Sequence, residues 1–161
     1  VAPGNCDPAL IWKAFTRGYH FSLYDHPFEQ PQNESPAWQV ARENIRLTRL
    51  LATRVQNMAQ MAPREDLAST GYCLASEGQE YIIYSEKQAE FRVNGLGAGQ
   101  EYLFEWINTA RASVQETGRI TAKEPTGRFQ PPCEGAVLFL TRRRSGLKNI
   151  TMPSSTFGAG M

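Results

Sequence analysis

Tyr72-Cys73-Leu74-Ala75, Glu80-Tyr81-Ile82-Ile83-Tyr84, Glu101-Tyr102-Leu103-Phe104-Glu105-Trp106 and Ala136-Val137-Leu138-Phe139-Leu140 are short apolar or alternating runs. Turn residues part them: Glu77-Gly78, Asn94-Gly95 with Gly97 and Gly99, Asn108-Thr109, Glu124-Pro125-Thr126-Gly127 and Pro131-Pro132. A chain that keeps returning to strand-length apolar segments between Gly, Pro and Asn is a β domain. The pattern predicts strands near 70–75, 79–85, 89–93, 101–107, 113–116, 118–121 and 136–141. In Phe91-Arg92-Val93 and Tyr102 to Trp106 the period is close to two, as a half-buried sheet requires. Two packed antiparallel sheets are the simplest way to bury such faces.

Upstream the pattern changes to helix. Asp7-Pro8 before Ala9-Leu10-Ile11-Trp12-Lys13-Ala14-Phe15 is a helix start, because Asp caps free amides and Pro at the first helical position loses no needed donor. Gly18 ends that helix. His20-Phe21-Ser22-Leu23-Tyr24 reads as a short buried strand, and Ser35-Pro36 starts a second helix running to about 56. Val40, Ala41, Ile45, Thr48, Leu51, Ala52 and Val55 share one face of it and should dock on something. Pro63 closes the helical part. The fold class is therefore α+β, with residues 1–62 helical, 63–142 a β-sandwich and 143–161 a mobile tail.

Composition is that of an ordinary globular protein: 161 residues, 41% hydrophobic, 20% charged, formal net charge +1. Such a balance gives no field to draw in nucleic acid or an anionic membrane, and neither partner is expected. No stretch approaches the ~18 consecutive apolar residues of a membrane helix. Cys6, Cys73 and Cys133 have no metal-ligand spacing, and with two histidines no metal and no cofactor are implied. A Cys73–Cys133 bridge is one reading of the pair; buried small hydrophobes is the preferred one. The start Val1-Ala2-Pro3-Gly4-Asn5 has neither an initiator methionine nor the pattern of a signal peptide, and reads as a fragment whose beginning lies upstream.

Ile11-Trp12-Lys13-Ala14-Phe15-Thr16-Arg17-Gly18-Tyr19 leading to Leu23-Tyr24-Asp25, a Trp38-bearing helix, Met61-Ala62-Pro63, Ser69-Thr70-Gly71-Tyr72-Cys73-Leu74-Ala75 and the strands that follow carry a resemblance over about residues 4–142. In order and spacing they resemble the C-terminal third of a family of (β/α)8-barrel glycoside hydrolases, in which a β-sandwich often labelled a collagen-binding domain follows the barrel. The resemblance implies that 7–17 is the seventh barrel helix, 20–24 the eighth strand and 36–56 the eighth helix. Barrel active sites sit at the C-terminal ends of the strands, so the implied substrate-facing residues are Asn5, Asp25 and His26. Each also has a plainer role, as turn, cap or loop residue, and the plainer role is preferred.

Glycoside hydrolysis ordinarily needs two carboxyl groups about 5–10 Å apart. In barrel glycosidases they come from strands earlier than the eighth, so no catalytic residue is assigned and the chain alone is expected to be inactive. The expected partner is carbohydrate, met through the missing barrel or through the sandwich. A rival reading is a stand-alone carbohydrate- or collagen-binding module without catalysis, and a third is a structural brace. Tyr72, Tyr81, Tyr84, Tyr102, Phe104 and Trp106 could form a platform for sugar rings, although core packing is the preferred role for most. Gly95-Leu96-Gly97-Ala98-Gly99 reads as a hairpin connection and Arg142-Arg143-Arg144 as a solvated run. A strand cut from a closed barrel has lost its neighbours, so residues 1–30 are expected to be loosely held, with Ile11, Trp12 and Phe15 partly exposed.

Overall fold

The computed structural model describes residues 7–19 and 36–143. Two helices, α1 (Pro8–Thr16) and α2 (Pro36–Arg54), precede the strands β1 (Ala62–Pro63), β2 (Cys73–Ser76), β3 (Glu80–Ser85), β4 (Phe91–Val93), β5 (Glu101–Asn108), β6 (Ser113–Thr121), β7 (Gly127–Phe129) and β8 (Ala136–Arg142). The fold is α+β, as expected. Six strands form one antiparallel sheet in the order β1-β2-β3-β8-β5-β6, and β4 pairs with β7 in a small second sheet.

The middle of the large sheet, β2, β3 and β8, is covered on both faces, while β6 is mostly exposed. Cys73, Ala75, Tyr81, Ile83, Tyr102, Trp106, Leu138 and Leu140 turn to one side, where Phe91, Val93, Leu96 and Phe129 close over them. Their neighbours Leu74, Ile82, Tyr84, Ile107, Val137 and Phe139 turn to the other, against Trp12, Leu47, Leu51 and Val55 of the helical segment. Strands packed on both faces have no polar side to show, which is why β3 and β8 are nearly continuous apolar runs.

The helix starts follow from local chemistry. Asp7 Oδ1 accepts from the Ala9 amide at 2.8 Å, with Pro8 next to it. Gly18, at φ +75°, then turns the chain back. On α2 the buried residues are Ala41, Asn44, Leu47, Thr48 and Leu51, so the face set on the sheet includes Asn44 and Leu47 rather than Ile45 and Ala52. A polar Asn in the middle of an apolar stripe escapes a pattern that counts apolar residues only.

Several expectations are corrected. Ile11 and Trp12 are 2% and 0% exposed, and only Phe15 of the three is half-buried, because Trp12 packs on α2 and the sheet while Ile11 lies at the floor of a groove beside Ile45 and Thr48 of α2. The two strands expected at 113–116 and 118–121 are one, β6, paired along β5 with an irregularity at Trp106/Ile107. Gly118, which resembles a break, lies inside it because the Phe104 ring occupies the space of a side chain: a Cβ there would lie 2.6 Å from Phe104 Cε1. β7 falls partly in what reads as a turn. The glycine-rich segment 95–99 is not a hairpin, since β4 and β5 belong to different sheets. It crosses between them, held by two tyrosine hydroxyls. Tyr81 OH accepts from Gly78 N–H and donates to the Gly95 carbonyl at 2.6 Å; Tyr102 OH accepts from Gly97 N–H and donates to the Gly78 carbonyl at 3.0 Å. Cys73 and Cys133 are free, the first buried and the second half-buried. Cys6, the expected strand 20–24 and the tail beyond 143 lie outside the described residues.

Candidate functional site

Asn5, Asp25 and His26 also lie outside the described residues. Among the described ones no group of three or more His, Cys, Asp or Glu could hold a metal ion, and no helix is long and apolar enough to cross a membrane. Two shielded carboxylates have structural partners. Glu80 accepts from the Gln56 amide at 3.0 Å and from Thr141 Oγ1 at 3.2 Å, holding the exit of α2 against β8. Glu105 meets the Arg54 guanidinium through both oxygens, and that guanidinium also lies over the Phe139 ring. A carboxylate clamped in this way spends its acceptor capacity on protein partners rather than offering it to a substrate.

Among the described residues, besides a smaller hollow of about 300 Å³ between Ser69–Tyr72 and Ser85–Phe91, two concave surfaces bear on function. The first belongs to the helical layer, which has two apolar faces. Trp12, Leu47, Leu51 and Val55 face the sheet. Ile11, Phe15, Ile45, Thr48 and Ala52, with Gly18, Tyr19, Met58 and the exposed Arg49 at its margin, line a mostly apolar groove of about 480 Å³. Leu10 at 41% and Tyr19 at 68% are large apolar side chains exposed on the α1 segment. An ordinary surface helix has one apolar stripe and a polar back.

The second is a cleft of about 450 Å³ at the open end of the sandwich. Alternation along β5 brings Tyr102, Phe104 and Trp106 to one face. Opposite them on β6 stand Ile120, Gly118 and Glu116. The β4–β7 sheet covers Trp106, whose ring meets Phe91 edge-on, and Phe91 stacks on Phe129. Phe104 and Ile120 are covered less and remain half-buried. Lys123, Glu124, Thr126, Arg128 and Gln130 surround the opening. Of the aromatic platform read from the sequence, Tyr81, Tyr84, Tyr102 and Trp106 are buried. Tyr72 is half-buried beneath Lys13 and Arg17, each within cation–π distance. Phe104 alone reaches the cleft with an accessible ring. Ile120, Phe129 and the 123–130 rim were not legible as site residues; the glycine inside β6 was the one signal that something lies across that strand.

No protein-family model matches the chain, and no curated protein matches it. A solved structure named "Glycoside hydrolase" is similar to it at 11% identity and a TM-score of 0.51, covering 80% of this chain and 31% of that one. At this identity the likeness is one of fold. This chain spans less than a third of that structure's length, and the shared part is larger than residues 62–161 alone, so it takes in some of the helical segment.

Proposed function

We propose that the chain is the C-terminal part of an enzyme that hydrolyses O-glycosyl bonds, with α1 and α2 as the last two helices of a (β/α)8 barrel and the sandwich as the support behind them. The observation that carries this reading is the two-faced helical layer. In such a barrel the outer helices pack inward on strands. If a further domain lies against them, they must also be apolar outward. α1 and α2 satisfy both demands: one aspect is sealed by the large sheet, and the other presents the Ile11–Phe15–Ile45–Ala52 groove. The likeness to a glycoside hydrolase supports the reading. Its coverage implies a chain more than twice as long as this one, with room for a whole barrel of roughly 250 residues.

On this reading Asn5, Asp25 and His26 stand at the rim of the parent's pocket, and the acid and the nucleophile or base come from earlier strands. The sandwich keeps the seventh and eighth helices in place, through Asn44–Thr109 and Arg54–Glu105, so that the strand ends above them hold their geometry. The deciding experiment is the coding sequence upstream of Val1. Six further strand–helix units with two carboxylates at strand ends are expected; a stop codon directly before Val1 defeats the proposal. Sugar release by the purified 161-residue chain would also overturn it, since the paired carboxyl groups would then have to be in this chain.

A further inference from the structure

We infer that the cleft between β6 and β7 is a binding site for a sugar ring of a glycan, separate from any active site in the barrel. The cleft has the two kinds of surface that a pyranose requires. A pyranose presents C–H groups on its faces and hydroxyls around its edge, so its site needs an apolar plane beside hydrogen-bonding groups. Phe104 supplies the plane. Its ring is laid over β6 in the space left by Gly118, packs against the edge of the core and is only half-buried. Ile120 extends the floor beside it.

The rim supplies the polar groups. Among the described residues Lys123 and Glu124 make no hydrogen bond or ion pair and stand exposed at the opening. Gln130 donates its Nε2 to the Gln88 carbonyl at 3.3 Å, which leaves its Oε1 as an acceptor. One donor-only and one acceptor-only side chain next to each other suit hydroxyls, each of which both gives and takes a hydrogen bond. The same pair argues against other ligands. A phosphate would meet Glu124 as soon as it met Lys123, and an alkyl chain would strand both charges. The volume of about 450 Å³ falls within the range of small-ligand sites. The choice of a sugar among polar ring-shaped ligands leans on the glycoside hydrolase reading; the geometry of the cleft does not.

The test is a titration of the isotopically labelled 161-residue chain with soluble xylo-, cello-, manno- and galacto-tetraoses, followed by amide chemical shifts. At least one sugar is expected to move the amides of Ile120, Thr121 and Gly127, with a dissociation constant on the order of 1 mM or tighter. Lys123→Ala with Glu124→Ala should weaken that binding about tenfold while the thermal midpoint is unchanged. Phe104→Ala should abolish it, and the rim variant keeps the test valid if Phe104→Ala unfolds. No shift with any of the four sugars at about 10 mM would overturn the inference, as would shifts confined to the α1–α2 groove, or the same shifts with inorganic phosphate. Binding by a chain whose upstream frame holds no barrel would leave the site standing and remove the enzyme reading. A barrel upstream with no sugar bound here would do the reverse.

Discussion

Trp12 Nε1 donates to Asn44 Oδ1 at 2.8 Å, and both side chains are completely buried. Both N–H groups of the Asn44 amide are used as well. Its Nδ2 donates to the Val40 carbonyl within α2 and to the Thr109 carbonyl beyond β5, each at 2.8 Å. One side chain thus joins α1, α2 and the end of the large sheet. A buried polar group is tolerated only when its partners are all present, and here each is supplied by a different element.

Replacing Asn44 by Leu keeps the branching at Cγ and removes the partners. The Trp12 indole N–H and the Thr109 carbonyl would then be left unpaired in the core, costing about 2–4 kcal/mol in all. Urea unfolding should show a lower midpoint with the slope unchanged. Adding Trp12→Phe, which removes the stranded donor, should recover part of the loss. A midpoint equal to that of the wild type would show that the helices do not depend on this junction.

Arg54 and Glu105 are the second tie between helix and sheet, with side chains 27% and 18% exposed. The paired contacts and the Phe139 ring beneath the guanidinium should make this bridge worth more than a free surface pair. A double-mutant cycle with Arg54→Met and Glu105→Gln is expected to give a coupling of about 1–2 kcal/mol. Raising the salt concentration should change it little, because the pair is partly shielded. A coupling near zero would reduce this bridge to decoration.

Gly118→Ala tests the packing of the cleft floor. The new Cβ would lie 2.6 Å from Phe104 Cε1, so the ring or the strand has to move, at a cost of about 1–3 kcal/mol. Gly99→Ala is the control for backbone strain alone: φ is +76° with nothing within 4 Å of the new atom, and about 1 kcal/mol is expected. Equal melting of Gly118→Ala and wild type would mean that the Phe104 ring is not seated on β6.

Stability should fall in alkali. Burial pushes the Cys73 thiol from 9.0 up to about 12, and burial also raises Tyr81 and Tyr84 above the ordinary tyrosine value. In the unfolded chain these groups release protons at lower pH than in the native one. The native state therefore holds more protons as pH rises past 9.0, and the slope of stability against pH is negative from there to about 12. Thermal midpoints measured across this range should drop, and Cys73→Ala should flatten the drop. A thiol reagent at neutral pH should label half-buried Cys133 well before Cys73. Rapid labelling of Cys73 would contradict its burial.

What the sequence determined by itself is local. Asp7-Pro8 caps a helix wherever that helix goes, and the period-two runs of β4 and β5 make strands in any sheet, since both follow from backbone donors and side-chain direction within a few residues. Tertiary structure decided the partners. Trp12 and Asn44 are 32 residues apart, and Asn44 and Thr109 are 65 apart. An apolar stripe records that something must cover it but not what, so α1, read as a barrel helix with this face partly exposed, closes one face of the sheet through Trp12. The cleft follows the same rule. Phe104 was legible as an aromatic on a strand, yet its accessible ring depends on where the β4–β7 sheet stops, and the rim at 123–130 reaches it only when β7 crosses to the second sheet.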